Sequence, residues 1–168
     1  MLAAQLRDLR TVIHEVGLYN KPLMLWGDSF ARSNPADAKV AVPHEIKQPA
    51  HAEPLGGLVV LLAALYEDDI KAVYVCGGLS SYQSLLGSQF LHVPHDALVP
   101  GILTVGDLPD LVSLLSPRPV RLDGFVDGLN RRVSEKALGA LYGEKADVHA
   151  EPATDAELVR WFVDKTGG

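Results

Sequence analysis

The stretch Leu55–Gly78, "LGGLVVLLAALYEDDIKAVYVCGG", changes character halfway along. Leu55 to Tyr66 is apolar nearly all round, the pattern of a helix packed deep between layers. Glu67-Asp68-Asp69 breaks the run. Ile70 to Cys76 then follows, apolar and rich in β-branched residues, and Gly77-Gly78 closes it as a buried strand is closed. A buried helix leading into a buried strand is the repeating half of a parallel sheet, which predicts further copies of the pair along the chain.

Upstream, Leu2, Leu6, Leu9, Ile13 and Val16 recur at three- and four-residue spacing before Gly17, which predicts an amphipathic helix with a glycine stop. Leu23 to Trp26 reads as a strand. From Arg32 to Ala52 the periodicity is lost among Pro35, Pro43 and Pro49, giving a long loop that also holds His44 and His51. Downstream, Leu79 to Gly106 is irregular. Asp107 is a natural cap with Pro109 in the first turn, and Leu108, Leu111, Val112 and Leu115 line one helical face. Pro117 and Pro119 end that helix and lead into a strand, Val120 to Val126. Arg132 to Tyr142 reads as helix, Ala146 to Ala150 as a short strand, and Thr154-Asp-Ala-Glu157 as a capping box opening the last helix through Leu158, Trp161 and Phe162. The expected fold is a single α/β domain over residues 1–168, a three-layer α/β/α arrangement on a mainly parallel sheet of about four strands.

The totals agree with one globular domain. The chain has 168 residues, 48% hydrophobic and 21% charged, enough for one core. Its net charge of −6, with no Lys/Arg cluster beyond Arg131-Arg132, lacks the footprint needed to hold phosphate backbones, so nucleic acid is not an expected partner. No apolar run is long enough for a membrane helix, and the N-terminus lacks the pattern of a signal peptide. With one cysteine, Cys76, in an apolar run, these features favour a cytoplasmic setting.

In a parallel sheet the working groups stand on loops beyond the carboxyl ends of the strands. Those loops carry Gly27-Asp28-Ser29, Gly77-Gly78, Asp127 and His149. A serine hydroxyl is a weak nucleophile until a histidine takes its proton and an acid fixes the tautomer of that histidine. Ser29, His149 and Asp127 are the candidates for those roles, and Ser, Asp, His is the chain order of the α/β-hydrolase fold. Gly27-Asp28-Ser29-Phe30-Ala31 follows the Gly-x-Ser-x-Gly elbow with alanine in the last place.

The run Glu53 to Asn130, with "EPLGGLVVLLAALYEDDIKAVYVCGGLSSY" and "VPGILTVGDLPDLVSLLSPRPVRLDGFVDGLN", resembles the C-terminal half of bacterial α/β-hydrolases of the acetyl-xylan-esterase and dienelactone-hydrolase-like groups. The resemblance implies a partial α/β-hydrolase fold and a serine esterase acting on small carboxylic or acyl esters without a cofactor. It points to Asp127 as the acid, after the block "DLPDLVSLLSPRPV", and to His149 as the histidine. Two departures accompany it. Ser29 is separated from the Gly56-Gly57 helix by a long loop, and alignment through that double glycine puts Pro54 at the nucleophile position. The chain also starts at the helix before the nucleophile strand, which implies that the family's first strands and one oxyanion-hole amide are missing; such a donor is worth about 3 kcal/mol in the transition state.

Three other readings rank lower. Gly27-Asp28-Ser29-Phe30 also looks like the opening block of GDSL-type esterases, but Gly128-Leu129-Asn130-Arg131 is not their Gly-x-Asn-Asp block, and Asp147 stands two residues before His149 where Asp-x-x-His is required. His92, His95 and Asp96 could suggest a metal, yet Pro94 intervenes and no second pair is evident, so no metal is expected. Gly77-Gly78-Leu79-Ser80-Ser81 lacks the lysine of a phosphate loop. The alternative from another class is a catalytically inactive, truncated hydrolase-like module acting in binding or assembly, with self-association through an exposed sheet edge.

Overall fold

In the computed structural model, residues 2–17, 21–38 and 49–167 are described. The element order is α1 (Leu2–Gly17), β1 (Leu23–Gly27), α2 (Leu55–Tyr66), β2 (Ile70–Cys76), α3 (Leu108–Leu114), β3 (Val120–Asp123), α4 (Glu135–Tyr142), β4 (Asp147–His149) and α5 (Asp155–Thr166), with short 3-10 turns between β2 and α3 and after α4. The four strands form one sheet in the order β1-β2-β3-β4, and every pair is parallel. The expected α/β fold with a parallel four-stranded sheet is thus the one observed. His44 and the middle of the expected long loop lie outside the described residues.

Strand alternation sorts the core into two faces. Leu25, Val73, Val75, Val120 and Leu122 pack with Ile13 of α1, Val60, Leu61, Ala63 and Ala64 of α2, Val112 of α3 and Leu138 and Tyr142 of α4. Ala72 and Tyr74 face the other way, against Leu158, Trp161 and Phe162 of α5. Among the described residues, four helices therefore cover one face and α5 is the helix that covers the other. A third cluster, with Leu58, Leu79, Tyr82, Leu85, Val93 and Leu108, supports the irregular stretch after β2.

Three boundaries differ from the sequence reading. β3 ends at Asp123 and not at Val126, because Gly124 adopts φ +63°, a left-handed turn that takes the chain out of the ladder. Helix α4 opens at Glu135 and not at Arg132: Arg132 bridges Val126, and the Ser134 side chain accepts from Ala137 N as the cap. β4 is shorter by one residue at each end than Ala146 to Ala150.

Candidate functional site

The carboxyl ends of β1, β2 and β3 are drawn together by close backbone approach. A Cβ on Gly27 would sit 2.6 Å from the Gly56 carbonyl oxygen and 2.8 Å from Gly57 Cα, so only glycine lets the end of β1 seat against the start of α2. At Gly77, which has φ +70°, a Cβ would come within 2.7 Å of Ser29 Cβ. Ser29 is thus folded over the end of β2. Its turn is self-contained: Asp28 Oδ1 accepts from Ser29 N at 2.8 Å, and Ser29 Oγ accepts from Ala31 N at 3.4 Å. Burial, then the nearby Asp28 carboxylate, pushes the Cys76 thiol up to about 11, so Cys76 is protonated and unreactive at neutral pH.

Asp127 is fully engaged in its own loop. Its carboxylate accepts from Leu129 N and Arg131 N, each at 2.9 Å, and from Arg131 Nε at 2.8 Å, with Arg131 Nη2 at 2.7 Å. Four donors on one carboxylate close the 127–131 turn. His149 ends β4 with its Nε2 3.0 Å from Asp147 Oδ1, but the approach is off the hydrogen-bond direction and that nitrogen has no hydrogen-bond partner among the described residues.

The sheet order sets how far apart these groups stand. Ser29 follows one edge strand, His149 ends the other, and three strand spacings separate them, about 14 Å at the usual interstrand distance. The lean of Ser29 onto Gly77 removes about one spacing. Nucleophile and base need to come within roughly 3 Å of each other, and among the described hydrogen bonds none joins Ser29, Asp127 or His149 to another of the three. Beside this edge, the void lined by Pro54, Gly57, Leu58, Val75, Gly78 and Phe125 measures about 10 Å³, room for one water and not for an acyl group.

The best-connected part of this edge is one the sequence reading did not single out. Asn34 Nδ2 donates to Ala50 O and Leu129 O, and Asn34 Oδ1 accepts from Ala50 N. Asn130, only 1% exposed and at φ +57°, donates through Nδ2 to Arg32 O and Ala50 O. The two side chains sew the segments after β1, before α2 and after β3 into one platform. The only local signal was an asparagine following Gly128-Leu129, since asparagine tolerates the left-handed conformation. His95 opens a 3-10 turn, while His92 packs edge-on against His51 with ring centroids 5.2 Å apart. Both ring nitrogens of His92 are buried, without a partner among the described residues, and burial, then His51, lowers its pKa. Among the described residues no group of three or more His, Cys, Asp or Glu is placed to hold a metal ion.

A second buried polar cluster lies under α5. Asp123, with no exposed surface, accepts from Arg121 Nε at 3.0 Å, Ala153 N at 2.9 Å and Tyr74 Oη at 3.3 Å. It ties the entry of α5 to β3.

No family model matches the chain, and comparison with curated proteins and with solved structures gives no match. What stands is the class the fold defines, an α/β domain on a four-stranded all-parallel sheet.

Proposed function

We propose that this domain works by association and not by turnover: it is a hydrolase-like module without catalysis that acts in binding or assembly. The observation that carries the reading is the placement of Ser29 and His149 after opposite edge strands, with Asp127 held by Arg131. The Asn34–Asn130 platform supports it too, because it spends the polar groups of the strand-end loops on one another. Incubation with a fluorophosphonate probe, read by intact mass, tests the reading. The folded protein is expected to stay unlabelled. A single adduct that disappears in Ser29→Ala would overturn the proposal.

That adduct would revive the second reading, a serine esterase acting on small acyl or carboxylic esters. It is favoured by one observation, the position of Ser29, Asp127 and His149 beyond the same carboxyl edge of the parallel sheet, together with the α/β-hydrolase resemblance. In that mechanism Ser29 Oγ attacks the ester carbonyl carbon while its proton passes to His149, the alcohol leaves with that proton, and water releases the acid from the acyl-enzyme. Asp127 would orient His149. Reaching that geometry requires Asp127 to leave Arg131 and His149 to move by about two strand spacings, roughly 10 Å.

A further inference from the structure

The strand edge on the β1 side points to what such a module binds. Among the described residues β1 is paired on one side only, with β2, and its other edge carries free backbone donors and acceptors. From Pro22 to Gly27 the edge bears no charge and no proline after its first residue. On the face shared with α5, Met24 and Trp26 are 39% and 51% exposed, although a methionine and an indole are the residues a sheet normally covers. On the same side of the sheet, α5 leaves Val159 and Val163 exposed beside its buried Phe162.

We infer that a second copy of this chain pairs with β1 in antiparallel fashion, about a two-fold axis through Leu25, to make one continuous eight-stranded sheet. The inference rests on the association reading above and names its partner. The strand is self-complementary under that operation. With Leu25 opposite its own copy, Met24 lies opposite the second copy's Trp26 and Trp26 opposite the second copy's Met24, so two thioether–indole pairs form on the exposed face. The flanking charges agree: Lys21 precedes the strand and Asp28 follows it, and an antiparallel copy brings each toward its opposite. A copy laid parallel would bring like charges together. Met24, Trp26, Val159 and Val163 expose on the order of 400 Å² per copy, about half of what a standard interface takes from each partner, so the dimer is weak and concentration-dependent.

Sedimentation velocity on the full chain from about 1 to about 200 µM is the test, a range that brackets micromolar association. The wild-type mass is expected to rise from 18.1 kDa toward twice that value. Met24→Lys with Trp26→Lys, both at exposed positions, places lysine opposite lysine and should hold the protein at the monomer mass with its circular dichroism unchanged. Met24→Lys with Trp26→Glu places lysine opposite glutamate and should restore the dimer. A wild-type monomer at the highest concentration would overturn the inference and leave the edge to a strand of another protein; the absence of a fluorophosphonate adduct would be untouched by that result. A wild-type dimer indifferent to the double lysine variant would place association on another face and also overturn it. So would a lysine–glutamate variant that stays monomeric, because the pairing register would then be wrong.

Discussion

His92 shows how a single side chain can set the acid limit of this fold. The residue is 5% exposed, neither nitrogen has a partner among the described residues, and His51 packs against it, so the folded protein resists protonating it. Its folded pKa therefore lies below the unfolded value of about 6.5. The unfolded chain then binds the proton first, and stability falls as pH drops below about 6.5 until the folded pKa is reached. His92→Phe keeps an aromatic ring at this position and removes the titration. Urea unfolding at neutral and mildly acidic pH should show wild type losing stability relative to the variant on acidification, and parallel losses in both would assign the acid sensitivity elsewhere. From the sequence, His92 looked like half of a weak metal pair, because its true neighbour, His51, is distant in the chain. The turns at Asp28-Ser29 and Asp127-Gly128 could be read as turn chemistry, and the structure gives both carboxylates that local work. Asn34 and Asn130 could not be read as partners, since their bonds run to backbone carbonyls brought near only by the finished fold.

At the scale of elements, the capping signals were the most legible part of the chain. Thr154 and Glu157 form the reciprocal cap expected of α5, and Asp107 with Asp110 does the same for α3. The two caps differ in reach. Thr154 serves its own helix, whereas Asp107 accepts from Leu108 N at 2.7 Å and also from Tyr82 N at 2.6 Å and Gln83 N at 3.1 Å. It fastens the start of α3 to the irregular segment that follows β2. Thr154→Ala is expected to cost about 1 kcal/mol, an ordinary cap loss. Asp107→Ala is expected to cost about 2–3 kcal/mol, because two further amides lose a charged acceptor. Denaturant midpoints would measure both, and equal losses would show that the Tyr82 and Gln83 bonds contribute nothing. Boundaries were harder to read than caps. Val120 to Val126 has the composition of one long strand, and only the left-handed turn at Gly124 reveals that it stops at Asp123. Arg132 reads as the start of the helix that ends at Tyr142, yet its backbone bridge to Val126, next to the Asn34–Arg131 bridge, holds it extended.

The whole molecule is asymmetric about its sheet, and this governs where it is vulnerable. The alternation of helix and strand announced a parallel sheet with helices on both faces, but not that a single helix would carry one of them, because periodicity does not say on which side a crossover falls. With α1 to α4 on one side, α5 is the only described helix over Ala72 and Tyr74, where Trp26 of β1 also packs edge-on against the Tyr74 ring, and Ala153 at its entry donates to the carboxylate of Asp123. Its anchor is Trp161, 7% exposed and packed edge-on against Phe162. Trp161→Ala is expected to cost about 3–5 kcal/mol, a large share of the roughly 5–15 kcal/mol that holds a domain of this kind together. The substitution also leaves Trp26 as the only tryptophan, an internal reporter on the edge of β1. If the domain unfolds as one unit, Trp26 emission and far-ultraviolet circular dichroism will trace the same denaturation curve, shifted to lower denaturant. If α5 instead detaches as a separate unit, the curves will part, with ellipticity falling before Trp26 responds. The first outcome would mean that the thin α5 layer and the thick α1–α4 layer share one cooperative core through β2 and β3, as the buried Tyr74–Asp123–Arg121 contacts across those strands require.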